Sequence, residues 1–430
     1  MNTDNYNRFK KRISDIQGLN VTEINNDDAS CLVTYDDVSM DPVCPYDDAR
    51  LTPRPFLKPR VVTDLLDMQS GDTIKVLYRQ RRYRCPTCHR DMECESPYIR
   101  QGAKISRDLE DYIGEEALYD TYEGVADQVD CVSKVQVKRI FEEWAKKQIN
   151  DYMIDLMAPK HLGVHIVGNS TNQYLLLSDL DKNHILDIMP LSASSMLITL
   201  LLRLSAQKIT QGVCTEIDAE SLMPVRSVYE QSPDVDVSVA RASVYKAYAN
   251  AVHDAVATHY NQAKKKLFLR MILTPLSEGL SPKDENQMKH LADQEPMMDM
   301  RKWIENLFTI REMIQDNKWD KDGYRSWKYN VSSIREIADF VRYLTFADPE
   351  IQRGFNSDLQ KKHERITERA NYLITLNRRC SFEILRARVL LTIDSTWSER
   401  IVGYQTVKAF TGIDMDSLIN KMEQIIGRNS

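Results

Sequence analysis

The chain is poor in the residues that mark several protein classes. Eight cysteines in 430 residues are too few for a disulfide-stapled scaffold. Fourteen glycines and fifteen prolines exclude a collagen-like or low-complexity chain. Long apolar runs are missing: the longest, Met196 to Leu202, is interrupted by Thr199 and stops at Arg203, far short of the roughly 20 residues that span a bilayer. Met1 to Arg12 is polar and mixed in charge and lacks the apolar centre of a secretory signal, so a cytoplasmic protein is expected. Neither sign of charge prevails, with 57 Lys+Arg against 63 Asp+Glu, and a net charge of −6 argues against indiscriminate polyanion binding. What remains, 42% apolar and 28% charged residues, is the composition of a multidomain protein with ordinary cores.

Charge is unevenly distributed. Residues 1–50 carry five basic and ten acidic side chains, whereas 75–107 carry nine basic against three acidic and 352–388 nine against four. Local basic patches of this kind matter more for nucleic acid than the total does.

Three patterns follow one another. The first hundred residues read as short strands and turns, with Val61–Leu65, Thr73–Leu77 and the Pro-rich Thr52–Pro59 fitting a small β module. From Ile105 the apolar spacing turns to three and four, predicting helices over Ile105–Ile113, Tyr122–Val129 and Ser133–Gln148, with breaks at Gly114 and Asp130–Val132. After His161 the runs Leu162–Val167, Tyr174–Leu177 and Ile185–Met189 predict an antiparallel meander. A helix over Ser192–Leu204 and a strand over Gly212–Ile217 follow, then helices over Val244–Trp319, Ile334–Leu344 and Ile366–Ile393.

Two local patterns carry chemistry. Cys85 and Cys88, in Arg84-Cys85-Pro86-Thr87-Cys88-His89-Arg90, have the spacing that wraps two thiolates around one tetrahedral zinc, and Cys44-Pro45-Tyr46-Asp47 mirrors the opening with Asp47 in the place of a second thiolate. Cys44, Asp47, Cys85 and Cys88 are the expected ligands; Cys31, His89 and Cys94 are alternatives for the fourth, and a pair of unconnected core thiols is the bland reading. The pair Thr121–Val129 and Ser133–Gln148 has helix-turn-helix proportions. Val137, Ile140, Phe141 and Trp144 share one face, leaving Lys134, Gln136, Lys138 and Arg139 toward phosphates and base edges, with Arg79, Arg81, Arg82 and Arg84 as further phosphate contacts. An ordinary helical hairpin with a solvated face is the alternative.

In this order, Cys44-Pro45, Arg81 to Arg90, Val125-Ala126, the Val135–Ile140 helix, Leu267 to Pro282, Thr367 to Ile374, Arg378-Arg379-Cys380, Phe382-Glu383 and Arg386 to Leu391 resemble an insertion-sequence transposase of the ISL-three type. The likeness runs over about residues 40–395. It implies a multidomain α+β chain: a small β zinc-binding module, a helix-turn-helix, and an RNase-H-like α/β core with a DDE site and a large helical insertion. The implied division is 1–103 with the zinc module at about 40–95, 104–150 helix-turn-helix, 160–240 first part of the core, 241–350 helical insertion and 351–430 C-terminal part of the core.

The departures from that family bear on catalysis. His165 stands in the place of the first acid and Ile166 follows it, Asp218 is retained as the second, and the Asp-Arg-Phe-His signature becomes Ala240-Arg241-Ala242-Ser243. Glu368 and Asn371 hold the third site, but Arg369 replaces the following glycine and Thr375 the lysine. Two-metal phosphoryl transfer needs a carboxylate bridging two hard cations, which one imidazole does not supply. The sequence therefore leads to a DNA-binding protein without cleavage activity, with Asp218 and Glu368 as vestigial site residues. Its expected partners are double-stranded DNA and a second copy of itself as a homodimer, with no membrane and no small-molecule substrate. Structural zinc is its expected cofactor. An active DDE transposase is the alternative, with Mg²⁺ or Mn²⁺, if Mn²⁺ accepts His165 or if Asp179 or Asp181 reaches the site.

Overall fold

The computed structural model of the chain describes residues 3–26, 29–36, 42–67, 70–169, 171–230, 232, 234–257, 281–294, 298–315, 320–353 and 357–391. They form two compact mixed α/β units, one ending at Asp151 and one beginning at Tyr152.

The first unit opens with a helix where strands and turns are expected. In α1 (Thr3–Ser14), Tyr6, Phe9 and Ile13 recur at spacings of three and four, and Phe9 and Ile13 are buried against Leu19, Val33 and Val76. The sheet is organised on one long strand, β5 (Thr73–Arg84). Its first half pairs in parallel with β2 (Ala29–Tyr35) and antiparallel with β4 (Arg60–Leu65), and β1 (Leu19–Asn26) adds to β2. Its second half pairs with β3 (Thr52–Phe56) and β6 (Asp91–Glu93). The strand runs seven residues beyond the apolar stretch expected at Thr73–Leu77. Alternate residues Ile74, Val76, Tyr78 and Gln80 are buried, while the apolar Leu77 between them and the arginines at 79, 81, 82 and 84 hide the period in the sequence.

Three helices follow: α2 (Arg107–Tyr119), α3 (Tyr122–Val129) and α4 (Lys134–Ile154). Ser106 caps α2 by accepting the Leu109 amide, and Thr121 caps α3 by accepting that of Gly124. Gly114, expected to break a helix, lies inside α2. A Cβ there would sit 2.4 Å from Cγ of Trp144, so the glycine admits the indole of α4. Asp130 ends α3 in the left-handed conformation, φ 50°.

In the second unit β7 (His161–Gly168), β8 (Gln173–Asp179) and β9 (His184–Pro190) form the expected antiparallel meander. β10 (Gly212–Thr215) runs parallel to β7, and β11 (Asp236–Val239), which the sequence did not announce, runs parallel to β10, giving the order β11-β10-β7-β8-β9. One face is covered by α5 (Ser194–Ser205) and α6 (Ala219–Tyr229), with Leu197, Leu201 and Val225 packed among Leu162, Val164, Leu175 and Leu177. The other face carries Gly163, His165, Leu176 and Ser178, as the strand alternation requires, and receives the helix Ser357–Leu376.

The helical stretch forms its own core. In α7 (Arg241–Ala257) Tyr248 meets Trp327 edge-on at 5.6 Å and Phe340 at 5.3 Å, and Trp303 joins the same cluster from Met298–Gln315. Residues 267–280, part of the resemblance, lie outside the described residues. The helix expected over Ile366–Ile393 is two helices, Ser357–Leu376 and Phe382–Leu391. Asn377 separates them because its side-chain amide turns back to the Leu373 carbonyl at 2.9 Å and its Oδ1 accepts from Arg388 at 2.8 Å. Arg386 then clamps the second helix to β9 through Asp187, at 2.8 and 3.0 Å. No described helix is long and apolar enough to cross a membrane.

Candidate functional site

Two loops of the same design bring four donors together. Cys44 N–H donates to the Ala49 carbonyl at 2.8 Å and Asp48 N–H to that of Cys44 at 3.0 Å; Cys85 N–H donates to Arg90 at 3.0 Å and His89 N–H to Cys85 at 3.1 Å. Asp48 and His89, at the same place in each loop, both have positive φ, 55° and 60°. This repeat turns Cys44, Asp47, Cys85 and Cys88 inward until one donor atom of each lies within 4.8 Å of all the others, a grouping compatible with zinc. The two thiol sulfurs of Cys44 and Cys88 are 3.7 Å apart, and Asp47 lies 3.3 Å from Cys85 Sγ.

The donor chemistry fits a cation. Burial pushes the Cys44 thiol up to about 11. Burial works the same way on Cys85, but the Cys88 and Thr87 amides, each 3.3 Å from its sulfur, outweigh it and hold that thiol below its ordinary value. Amides aimed at sulfur serve a thiolate better than a thiol. The alternatives fall elsewhere: Cys31 is buried beside Val33 and Val76, and neither His89 nor Cys94 joins the cluster.

Around this centre the basic residues differ in freedom. Arg81 stacks on Phe56 at 4.1 Å and pairs with Asp36 at 2.6 Å, and Arg79 stacks on the same ring at 4.8 Å while donating to Thr34. Arg82 and Arg84 pair through their backbone with β6 and are half-buried. On α4, Lys134, Lys138 and Arg139 are exposed; Lys134 pairs with Glu123 at 2.9 Å and Lys138 with Glu142 at 3.8 Å. Gln136 is exposed too, yet its side chain is used: Oε1 accepts the Ser133 amide at 2.8 Å and Ser133 Oγ faces the Gln136 amide at 3.4 Å, a reciprocal capping box.

A second group of ligand-type side chains lies in the other unit, where one donor atom each of His165, Glu216 and His363 falls within 4.8 Å of the others and all three residues are buried. His165 is fully buried at the middle of β7. Its Nδ1 is 2.9 Å from Thr367 Oγ1 and its Nε2 2.7 Å from Ser178 Oγ. Because the Thr367 hydroxyl already donates to the His363 carbonyl, Nδ1 carries the proton and donates, and Nε2 accepts from Ser178. Burial, with the His363 ring alongside, holds His165 neutral, and burial lowers His363 to about 4. The two rings stack with centroids 3.8 Å apart. Glu216, just past β10, approaches His363 Nε2 at 4.0 Å, and burial followed by the charge of Asp218 raises its carboxyl to about 7.

Asp218 and Glu368 are exposed and are not in this cluster. Asp218 occupies the N-cap position of α6 without a side-chain cap bond, and its carbonyl accepts from Ser221 and Leu222. It borders a groove lined also by Ala251, Asp254, Phe340 and Tyr343. Asp179 caps its own turn by accepting from Asp181 and Lys182, and Asp181 pairs with His161 at 2.9 Å, so both are committed at the end of the meander. Ser243 receives the Ile217 amide and donates to the Ala240 carbonyl. Asn371 accepts the Gly168 amide at 2.7 Å.

Glu216 and His363 are the members that the sequence pattern did not single out. His363 was within reach: the phase set by Ile366, Ala370 and Leu373 extends back to 363 and 360, placing His363 and Gln360 on the buried face. Glu216 gave no such signal, because it lies beyond the end of β10 and only the local turn decides whether it or Asp218 faces inward. No protein-family model matches the chain, and no curated protein does.

Proposed function

We propose that the chain is a DNA-binding protein of transposase descent whose core has become scaffold. A zinc ion held by Cys44, Asp47, Cys85 and Cys88 would fix the end of the β sheet, and α3 and α4 would act as a helix-turn-helix on a specific duplex. The three-stranded meander with two further strands parallel to its first, flanked by helices on both faces, supports an RNase-H-like core. Exposed Lys134, Lys138 and Arg139 on the first turns of α4 support the reading of duplex DNA, with Arg82 and Arg84 as phosphate contacts. A homodimer fits the same descent.

One observation carries the loss of cleavage. In the place of a metal-bridging carboxylate stands an imidazole with both nitrogens spent on Thr367 and Ser178 and one face covered by His363. One ligand atom each of His165, Glu216 and His363 lies within 4.8 Å of the others, but a cation there would have to displace a hydrogen bond that His165 already makes. Magnesium, which demands oxygen ligands in near-octahedral array, has no holder in this cluster apart from Glu216.

The test has two stages. Random duplexes are incubated with the protein and the bound fraction sequenced; an enriched motif supports the binding reading, and a pool that stays random removes it. The enriched duplex, end-labelled, is then incubated with Mg²⁺ and separately with Mn²⁺. Nicking that vanishes on Asp218→Ala, Glu216→Ala or Glu368→Ala would restore the enzyme reading.

A further inference from the structure

The first two turns of α4 present one exposed apolar side chain in the midst of basic ones. Val135 is 77% exposed, whereas Val137 two residues on is wholly buried. Its flanking residues are Lys134, Gln136, Lys138 and Arg139. A β-branched residue is also a poorer helix former than the Lys, Glu or Gln that a solvated position accepts. The neighbours narrow the choice of base reader further. Gln136 has its Oε1 committed to Ser133, and Lys134 and Lys138 are drawn to Glu123 and Glu142. Arg139 makes no hydrogen bond or ion pair among the described residues. Val135 and Arg139 are four residues apart and so stand one above the other on the same ridge.

Resting on the DNA-binding reading above, we propose that Val135 and Arg139 are the base-reading pair: Val135 seats the C5 methyl of a thymine and Arg139 takes the O6 and N7 of a guanine within a base pair or two of it. The chemistry leaves Val135 little else. It has no donor or acceptor, and the only apolar group on a base edge in the major groove is the thymine methyl. Arg139 has the fork that guanine accepts, and its guanidinium is not already held by a carboxylate. Lys134 and Lys138 then serve as phosphate contacts, exchanging their carboxylate partners for the backbone, and Gln136 keeps the helix start in shape.

The experiment uses the full-length protein and the duplex motif recovered from the random pool. Each thymine in the motif is replaced in turn by deoxyuridine, which removes the methyl and nothing else, and each guanine by 7-deazaguanine, which removes N7. One thymine should respond, weakening binding about fourfold, the equivalent of the ~0.8 kcal/mol of one buried methyl. In Val135→Ala that sensitivity should vanish while binding to the deoxyuridine duplex stays close to that of the unaltered protein. Arg139→Ala should likewise erase the response at one guanine. Val135 is exposed, so its substitution leaves the fold intact, which an unchanged melting temperature verifies. A motif whose thymines all tolerate deoxyuridine, or whose sensitivity persists in Val135→Ala, overturns the assignment and leaves DNA binding standing. Failure to enrich any motif removes DNA recognition itself.

Discussion

The imidazoles of His165 and His363 lie 3.8 Å apart and 24° from parallel, sealed between β7 and the helix Ser357–Leu376. The contact belongs to a polar seam along that helix. Gln360 reaches the Val239 carbonyl, His363 that of Val164, Thr367 meets His165 and Asn371 meets Gly168, at steps of three, four and four residues. Each contact joins the sheet to the helix. Gly163 makes the arrangement possible, since a Cβ there would lie 2.3 Å from Ser178 Oγ and 2.6 Å from His165 Nε2.

Replacing His165 therefore tests a structural role. His165→Ala removes two hydrogen bonds and opens a cavity, and should destabilise the second unit by about 2–4 kcal/mol, read by urea unfolding. His165→Asp places a carboxylate against the neutral His363 without a cation and should cost at least as much. It should also show no Mg²⁺-dependent nicking. A stable, cleaving His165→Asp protein would contradict the proposed scaffold role of this site.

Protonation of Glu216 gives a test by pH. Its folded carboxyl sits near 7 against an ordinary 4.5, so between those values the folded state holds more proton than the unfolded state, and its contribution falls as pH rises. His363, lowered to about 4, acts in the opposite sense over pH 4–6.5, so the wild-type curve alone is ambiguous. Glu216→Gln isolates the effect. Its stability relative to the wild type should rise across pH 4.5–7 by about 3 kcal/mol and level off above. A difference between the two proteins that does not change with pH would refute the raised carboxyl.

Zinc should be present at about one ion per chain in freshly purified protein, measured by elemental analysis. Cys85→Ser should lose it and, with it, hydrogen-exchange protection in β3, β6 and the last residues of β5, with the second unit unaffected. Asp47→Cys should hold the ion more tightly, as a fourth thiolate replaces a harder ligand. Retention of full metal content by Cys85→Ser would exclude this cluster.

Gln136 separates helix capping from base reading. Gln136→Ala should lower stability by about 1 kcal/mol and weaken all duplexes alike, while Gln136→Glu, which keeps the capping box, should keep stability but weaken all duplexes alike through its added negative charge. Altered preference among duplexes without loss of stability would assign the side chain to the groove instead.

Gly114→Ala sets propensity against packing. Alanine in a helix is worth about 1 kcal/mol over glycine, yet its Cβ would enter the Trp144 ring. Displacing a buried indole should win, with a net loss of about 1–3 kcal/mol in thermal or urea unfolding. A stabilised variant would mean that the indole moves aside freely.

What the sequence made legible follows from the range of the interactions. The Cys-Pro repeats at 44 and 85 and the periods of α3, α4 and the meander are local patterns, and each corresponds to a structural element. Gly114 reads as a break because its reason lies thirty residues away in Trp144. Asp218 and Glu368 stand out by likeness to a motif, but inward orientation is settled by a turn after β10 and by the helix phase, which favour Glu216 and His363. β11 is four residues long and is recognisable only by the partner it lies beside.

β5 is shared property. The same backbone that closes the cysteine knuckle beside β3 and β6 continues, without a joint, as the central strand between β2 and β4. A boundary drawn around residues 40–95 would leave β1 and β2 without the strand they are built on. The knuckle end thus cannot be exchanged as a cassette: any graft must take the whole first sheet, and any excision must rebuild it.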